Sequence, residues 1–208
     1  MKMEEVRPVE DRIRKVRNLF AQHGGIMRTS ELAANGVYYK LLREFLEHGY
    51  IEQIRRGYYC WAEGEVVSDA AIVTELYPDA ILCMDTALLY YDYTDRTPAA
   101  WHLAVDRDAA KSRFDIDYPA VKPHYTEASK LQIGESAGVI DGVDVKIYDR
   151  ERTVCDCFVN RNKMDREIFN TAIRKYVRDQ QKNIPRLMEY AKALRVEKPI
   201  LEVIGVWL

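Results

Sequence analysis

Residues 26–61, IMRTSELAANGVYYKLLREFLEHGYIEQIRRGYYCW, decide how the chain reads. Thr29-Ser30-Glu31-Leu32 opens a short helix, and the hydroxyl of Thr29 or Ser30 is the natural N-cap for its orphan backbone N–H groups. Asn35-Gly36 breaks that helix, and residues 37–48 carry a second one. Leu41, Leu42, Phe45 and Leu46 fall on its buried side, with Tyr38, Tyr39, Lys40, Arg43 and Glu47 opposite. Gly49 stops it. Residues 49–61 then alternate as a two-stranded ribbon whose tip is Arg55-Arg56-Gly57. Helix, turn, helix and basic hairpin together make the layout of a winged helix-turn-helix domain.

That layout predicts where a duplex would be touched. The start of the second helix enters a major groove, so Tyr38, Tyr39, Lys40 and Arg43 are candidate DNA contacts. Arg55 and Arg56 at the wing tip suit a minor groove or a phosphate. Thr29 and Ser30, at a helix start, are candidates for phosphate binding through backbone N–H groups.

Outward from this unit, residues 11–22 repeat Ile13, Val16, Leu19 and Phe20 on one helical face, and His23-Gly24-Gly25 ends the helix. Ile26-Met27-Arg28 is a short extended link. Residues 63–67 form a polar connector, which sets an expected boundary between a DNA-binding domain at 1–62 and a second domain at 63–208. Ser68 caps a helix over 69–76, Asp85 caps one over 86–91, and residues 80–84 are an apolar run that starts a strand or a helix. Strands are expected at 101–105, 120–125, 138–140 and 143–148, and helices at 153–160, 167–178 and 184–195. The fold class is therefore α+β: an N-terminal winged helix-turn-helix, then an α+β domain with a helical C-terminal third. Strands and helices do not alternate regularly, so a doubly wound parallel sheet is not supported.

Charge is uneven along the chain. The net of −2 combines 11 basic and 8 acidic residues in 1–61, 7 and 17 in 62–149, and 13 and 8 in 150–208. The basic ends can approach phosphate; the acidic centre repels it and suits a basic protein partner or simple solvation. A net of +3 on the first 61 residues implies modest affinity per copy, which a homodimer or cooperative binding on repeated sites would offset. Cys60, Cys83, Cys155 and Cys157 lack a disulfide spacing, and residues 1–10 lack an apolar core of a signal peptide, so a cytoplasmic setting is expected. No run is long enough to span a bilayer, so no membrane association is expected.

Several constellations weigh against enzyme chemistry. Cys155 and Cys157, separated by one residue on a helix, point about 200° apart, so no metal site is expected there. Asp79 with Asp144 and Lys146 offers the residue types of a metal-dependent nuclease, but at very long spacing. No phosphate-cradling loop, nucleophile elbow or His-Glu-x-x-His signature occurs, so no catalytic residues and no cofactors are expected. The aromatic group Tyr90, Tyr91, Tyr93 and Trp101 reads as an interface or as packing. Two other readings stay open on the residues alone: a nuclease targeted by a winged helix, and a ligand-responsive repressor.

The chain resembles the AbiEi-type antitoxins of type IV toxin–antitoxin, abortive-infection systems. The likeness rests on four stretches in order. They are the ribbon from Gly49-Tyr50-Ile51 to Gly57-Tyr58-Tyr59, and Asp85-Thr86-Ala87-Leu88 leading into Tyr93-Thr94-Asp95-Arg96-Thr97-Pro98. Arg150-Glu151-Arg152-Thr153-Val154-Cys155-Asp156 and the segment holding Tyr190-Ala191-Lys192 complete the set. Asp92-Tyr93-Thr94 departs from the Gly-Leu-Thr step of the family. The resemblance implies a protein that binds inverted repeats upstream of its own operon as a repressor. It also implies that the C-terminal domain counters a cognate toxin resembling a nucleotidyltransferase. Within Arg150-Glu151-Arg152-Thr153, Thr153 and Asp156 also fit a capping box, a structural use of the same residues.

Overall fold

The computed structural model of the chain describes residues 6–62 and 67–205, with side chains from Glu10 onward at the N-terminal end. Most of the connector expected at 63–67 lies outside the described residues. The chain divides into two units. One runs up to Leu76 and includes Ile116–Tyr118; the other comprises Tyr77–Asp115 and the chain from Pro119 onward.

The first unit holds α1 (Val6–Gln22), β1 (Ile26–Arg28), α2 (Thr29–Ala34), α3 (Tyr39–Glu47), β2 (Ile51–Arg55), β3 (Tyr58–Trp61) and α4 (Asp69–Leu76). Its core is one cluster in which Val16 and Phe20 of α1 meet Met27, Leu32, Val37, Leu42, Phe45 and Ile51. These are the apolar positions of the sequence periodicity, so burial rather than local propensity fixes the helices. The extended link proves to be a third strand. Ile26 and Met27 are buried, and β1 pairs antiparallel with β3, giving the sheet order β1-β3-β2. The expected helix over 69–76 forms, with Ser68 Oγ accepting from the Ala71 N–H at 3.2 Å. It groups with the first unit, beyond the expected linker, and Arg28 of β1 pairs with its Glu75 at 2.9 Å.

Two expectations at helix starts are corrected. Arg28, not Thr29 or Ser30, is the N-cap of α2, and its N–H donates to the Glu31 carboxylate at 2.7 Å. Pairing of β1 with β3 holds Arg28 extended, so Thr29 and Ser30 are already inside the helix. In the second unit α5 starts at Met84, one residue before Asp85, and Cys83 is its N-cap.

The second unit is built on a mixed five-stranded sheet of β4 (Ile81–Leu82), β5 (Trp101–Asp106), β6 (Val121–Thr126), β7 (Glu135–Ile140) and β8 (Val143–Tyr148), in the order β6-β5-β4-β8-β7. β5 runs parallel to β6 and β4 parallel to β8, while β4–β5 and β7–β8 are antiparallel. The helices are α5 (Met84–Tyr90), α6 (Ala128–Leu131), α7 (Arg150–Val159), α8 (Arg166–Arg178), α9 (Ile184–Ala193) and α10 (Glu197–Ile204). The α+β class and the helical C-terminal third stand as expected. α6 and α10 lie outside the helices expected from periodicity.

α7 is buried nearly all round, and it centres a core shared with α8, α9 and α10. Asp149 caps it, its carboxylate accepting from the Arg152 N–H at 2.8 Å. Thr153 is therefore not the cap; its hydroxyl donates to the Tyr148 carbonyl at 3.4 Å inside the core. Asp156 does not reach back to a cap either, because it pairs with Arg152 at 2.8 Å. The aromatic group is split. Tyr90, Tyr91 and Tyr93 pack in sequence against one another, Tyr93 continues onto Tyr176, and Arg150 lies 4.7 Å from the Tyr91 ring centre. Burial pushes the Tyr91 hydroxyl up to about 12, as packing would. Trp101 sits apart on β5.

Among the described residues no helix is long and apolar enough to cross a membrane, and no group of three metal-ligating side chains converges. Asp79 is held by Arg113 Nη1 at 2.7 Å, which keeps its carboxyl below the usual range, and Lys146 donates to the Pro78 carbonyl at 3.0 Å.

Candidate nucleic-acid interface

The face that could meet DNA is made by the first turn of α3 and the β2–β3 wing. Val37 is buried and anchors the chain just before α3, so the next residues must point outward. Tyr38 is the N-cap, in an extended conformation, and Tyr39 opens the helix. They are 68% and 77% exposed, more than any other large apolar side chain described. Two adjacent tyrosines so exposed gain little by folding; a partner surface explains them better than the core does. Lys40 is exposed beside them and makes no ion pair with the described residues. Arg43 lies one turn on and is tied to Glu47 at 2.8 Å. Tyr39, Arg43 and Glu47 recur at i, i+4 on this face, while Leu42 and Phe45 turn to the core.

The wing is a hairpin in register Arg55↔Tyr58, with an irregularity between Gln53 and Arg55. Gly57 takes φ +86°, a conformation L side chains rarely adopt, so glycine is required at the tip. Its carbonyl accepts the Thr29 N–H at 2.9 Å and the Thr29 hydroxyl at 3.4 Å, which fixes the wing against the start of α2. Thr29 thus spends its N–H on the wing, and the Arg28 N–H goes to Glu31. The α2 start therefore has two fewer donors for a phosphate than its sequence implies. Ser30 remains exposed.

Arg56 is exposed at the tip, whereas Arg55 is half-buried with its guanidinium 4.5 Å from the Tyr58 ring centre. Arg28 approaches the same ring at 5.4 Å. Stacking of this kind orders a cationic side chain without removing its charge. Arg28 and Tyr58 join the face although the helix and hairpin spacing does not point to them. The usable signal is the pairing of residues 26–28 with the second wing strand, which puts Arg28 opposite Tyr58. The structure thus brings Tyr38, Tyr39, Lys40 and Arg43 together on one helix face and Arg55 and Arg56 together on the wing.

A buried helical scaffold carrying an exposed helix start and a three-stranded wing with a basic tip defines the class: a winged helix-turn-helix domain. Residues 14–62 match a family model described as "Transcriptional regulator, AbiEi antitoxin". The fold is similar to the crystal structure of the RV2827C protein from Mycobacterium tuberculosis. The TM-score is 0.61 at 13% identity, covering 85% of this chain and 70% of that one. At that identity the likeness is one of fold. No curated protein matches the sequence.

Proposed function

We propose that the protein is a non-enzymatic, cytoplasmic autorepressor and antitoxin of a type IV, abortive-infection system. Its winged helix binds inverted repeats in its own promoter, and its second unit counters a toxin resembling a nucleotidyltransferase. The observation that carries the DNA half is the exposed Tyr38-Tyr39-Lys40 entry of α3, in the same unit as an exposed basic wing tip at Arg56. The AbiEi match over residues 14–62 supports both halves. The toxin half rests on that family likeness and on the acidic composition of the chain's centre.

Footprinting on the DNA upstream of the protein's own gene tests the first half. A dimer, or two cooperating copies, should protect two half-sites separated by about one helical turn, roughly 10 bp, or a multiple of it. Protection with no repeat, or none at physiological salt, would remove autorepression through a two-fold site. For the second half, the full chain is co-expressed with the toxin gene adjacent to its own. Growth should be restored by the wild type and equally by a Lys40→Ala, Arg56→Ala variant, since those residues belong to the DNA half. Continued arrest with soluble antitoxin present would refute neutralisation.

A further inference from the structure

The second unit contains a hollow of about 690 Å³ walled by α5, β5, β6, α7 and the segment after α7. That volume falls inside the roughly 300–1,000 Å³ typical of small-molecule sites. Its wall is unusual in how much polar chemistry it holds. His102 of β5 and His124 of β6 meet there, Nδ1 of the first 3.2 Å from Nε2 of the second. Asp85 lies 3.8 Å from the other nitrogen of His102, Nε2.

Most charges along the wall are already satisfied. Arg152 pairs with Asp156, Lys130 with Glu127 at 2.7 Å, and Asp165 caps α8 and faces Arg96. Three are not. Lys122 and Lys163 are exposed and make no ion pair with the described residues, and Asp85 accepts no hydrogen bond from them. The register places Lys122 directly opposite His102, so its charge acts on both rings and on Asp85.

Proton positions follow from this arrangement. Burial holds both imidazoles down at about 4, so at neutral pH each ring carries one proton. The Asp85 carboxyl, 3.8 Å from Nε2 of His102, favours the tautomer with the proton on that nitrogen. In that tautomer Nδ1 of His102 accepts from Nε2–H of His124, and Nδ1 of His124 is an acceptor. The hollow therefore offers two acceptors, Asp85 and His124 Nδ1, next to two unpaired ammonium groups.

We propose that this hollow binds a small organic anion, a phosphate or carboxylate that also carries hydroxyl or amino donors. Lys122 and Lys163 take the anionic group; Asp85 and His124 take the donors. The site stands apart from the DNA-reading and toxin-neutralising roles and does not depend on them.

The test follows the imidazole C2–H NMR signals of the full chain during titration with inorganic phosphate, ribose 5-phosphate or citrate. The chain has four histidines. His102 and His124 report on the hollow, while His23 and His48 lie in the first unit and serve as internal controls. Signals of His102 and His124 should move, saturably, below about 10 mM for at least one of the two organic anions. That anion should bind about tenfold more tightly than inorganic phosphate, which has no alcohol or amine to meet Asp85 and His124. Saturation by ribose 5-phosphate or by citrate tells phosphate from carboxylate. A Lys122→Ala, Lys163→Ala variant, altered only at exposed positions, should lose about tenfold in affinity. Static His102 and His124 signals with all three anions would overturn the proposal. So would movement of His23 and His48 alone, or unchanged affinity in the double variant.

Discussion

Replacing Lys40 and Arg56 together by alanine is expected to weaken binding to the promoter by about 2–4 kcal/mol, roughly thirty- to a thousandfold in Kd. The two side chains lie on the two halves of the proposed interface, one on the first turn of α3 and one at the wing tip. Both are exposed and neither has an ion pair among the described residues, so both charges are available to a polyanion at no internal cost. A cation that neutralises a phosphate steepens the dependence of log K on log salt by about 0.9, so the slope should flatten by nearly 2 if both side chains touch phosphates. Arg43→Ala should cost less, because Arg43 is already engaged by Glu47 and must leave it to reach DNA. The measurement is a salt series of gel-shift or anisotropy titrations, with circular dichroism to confirm the fold. Wild-type affinity and slope in the double variant would mean that this face does not grip the duplex.

The winged helix is legible from sequence because each of its decisions is local. Gly36, Gly49 and Gly57 all take positive φ at the ends of elements, and the apolar residues repeat at the period of the helix they form. What the sequence hides is set by strand pairing. Residues 26–28 look like a link until β3 comes beside them, and that pairing decides both the α2 cap and the place of Arg28. The second unit is less legible for the same reason. β4 is two residues long, yet it is the middle strand of five, and its role comes entirely from neighbours distant in sequence. α7 shows little amphipathic signal because it is covered on nearly every side, so its charged residues read as surface when they are core. The hollow gathers Asp85, His102, Lys122, His124 and Lys163 from separate elements, and no local spacing announces it.

The buried pair in α7 carries the second large effect. Arg152 is 2% exposed, and its guanidinium is held on several sides: Nε donates to Asp156 at 2.8 Å, Nη1 donates to the carbonyls of Lys130 and Ile133 at 2.7 Å each, and Cζ lies 4.1 Å from the Tyr148 ring centre. It ties α7 to the segment leading into β7. Gly134, in that segment, has φ +77°, and a Cβ there would overlap the Arg152 Cβ. The arginine and the glycine therefore fit as a unit. Asp156→Leu leaves that cation buried without its carboxylate, and should destabilise the fold by about 3–5 kcal/mol, a large share of the about 5–15 kcal/mol typical of a domain. Pairing that change with Arg152→Met removes the stranded charge, so the double variant should recover part of the loss even though it has one interaction fewer. The carbonyls of Lys130 and Ile133 then have no donor, which sets the limit on recovery. Urea unfolding of the four proteins, wild type, two singles and the double, measures the coupling directly. If Asp156→Leu unfolds within about 1 kcal/mol of wild type, the carboxylate is not what holds Arg152 in the core, and the Arg150-Glu151-Arg152-Thr153 stretch must be explained by something it touches outside this fold.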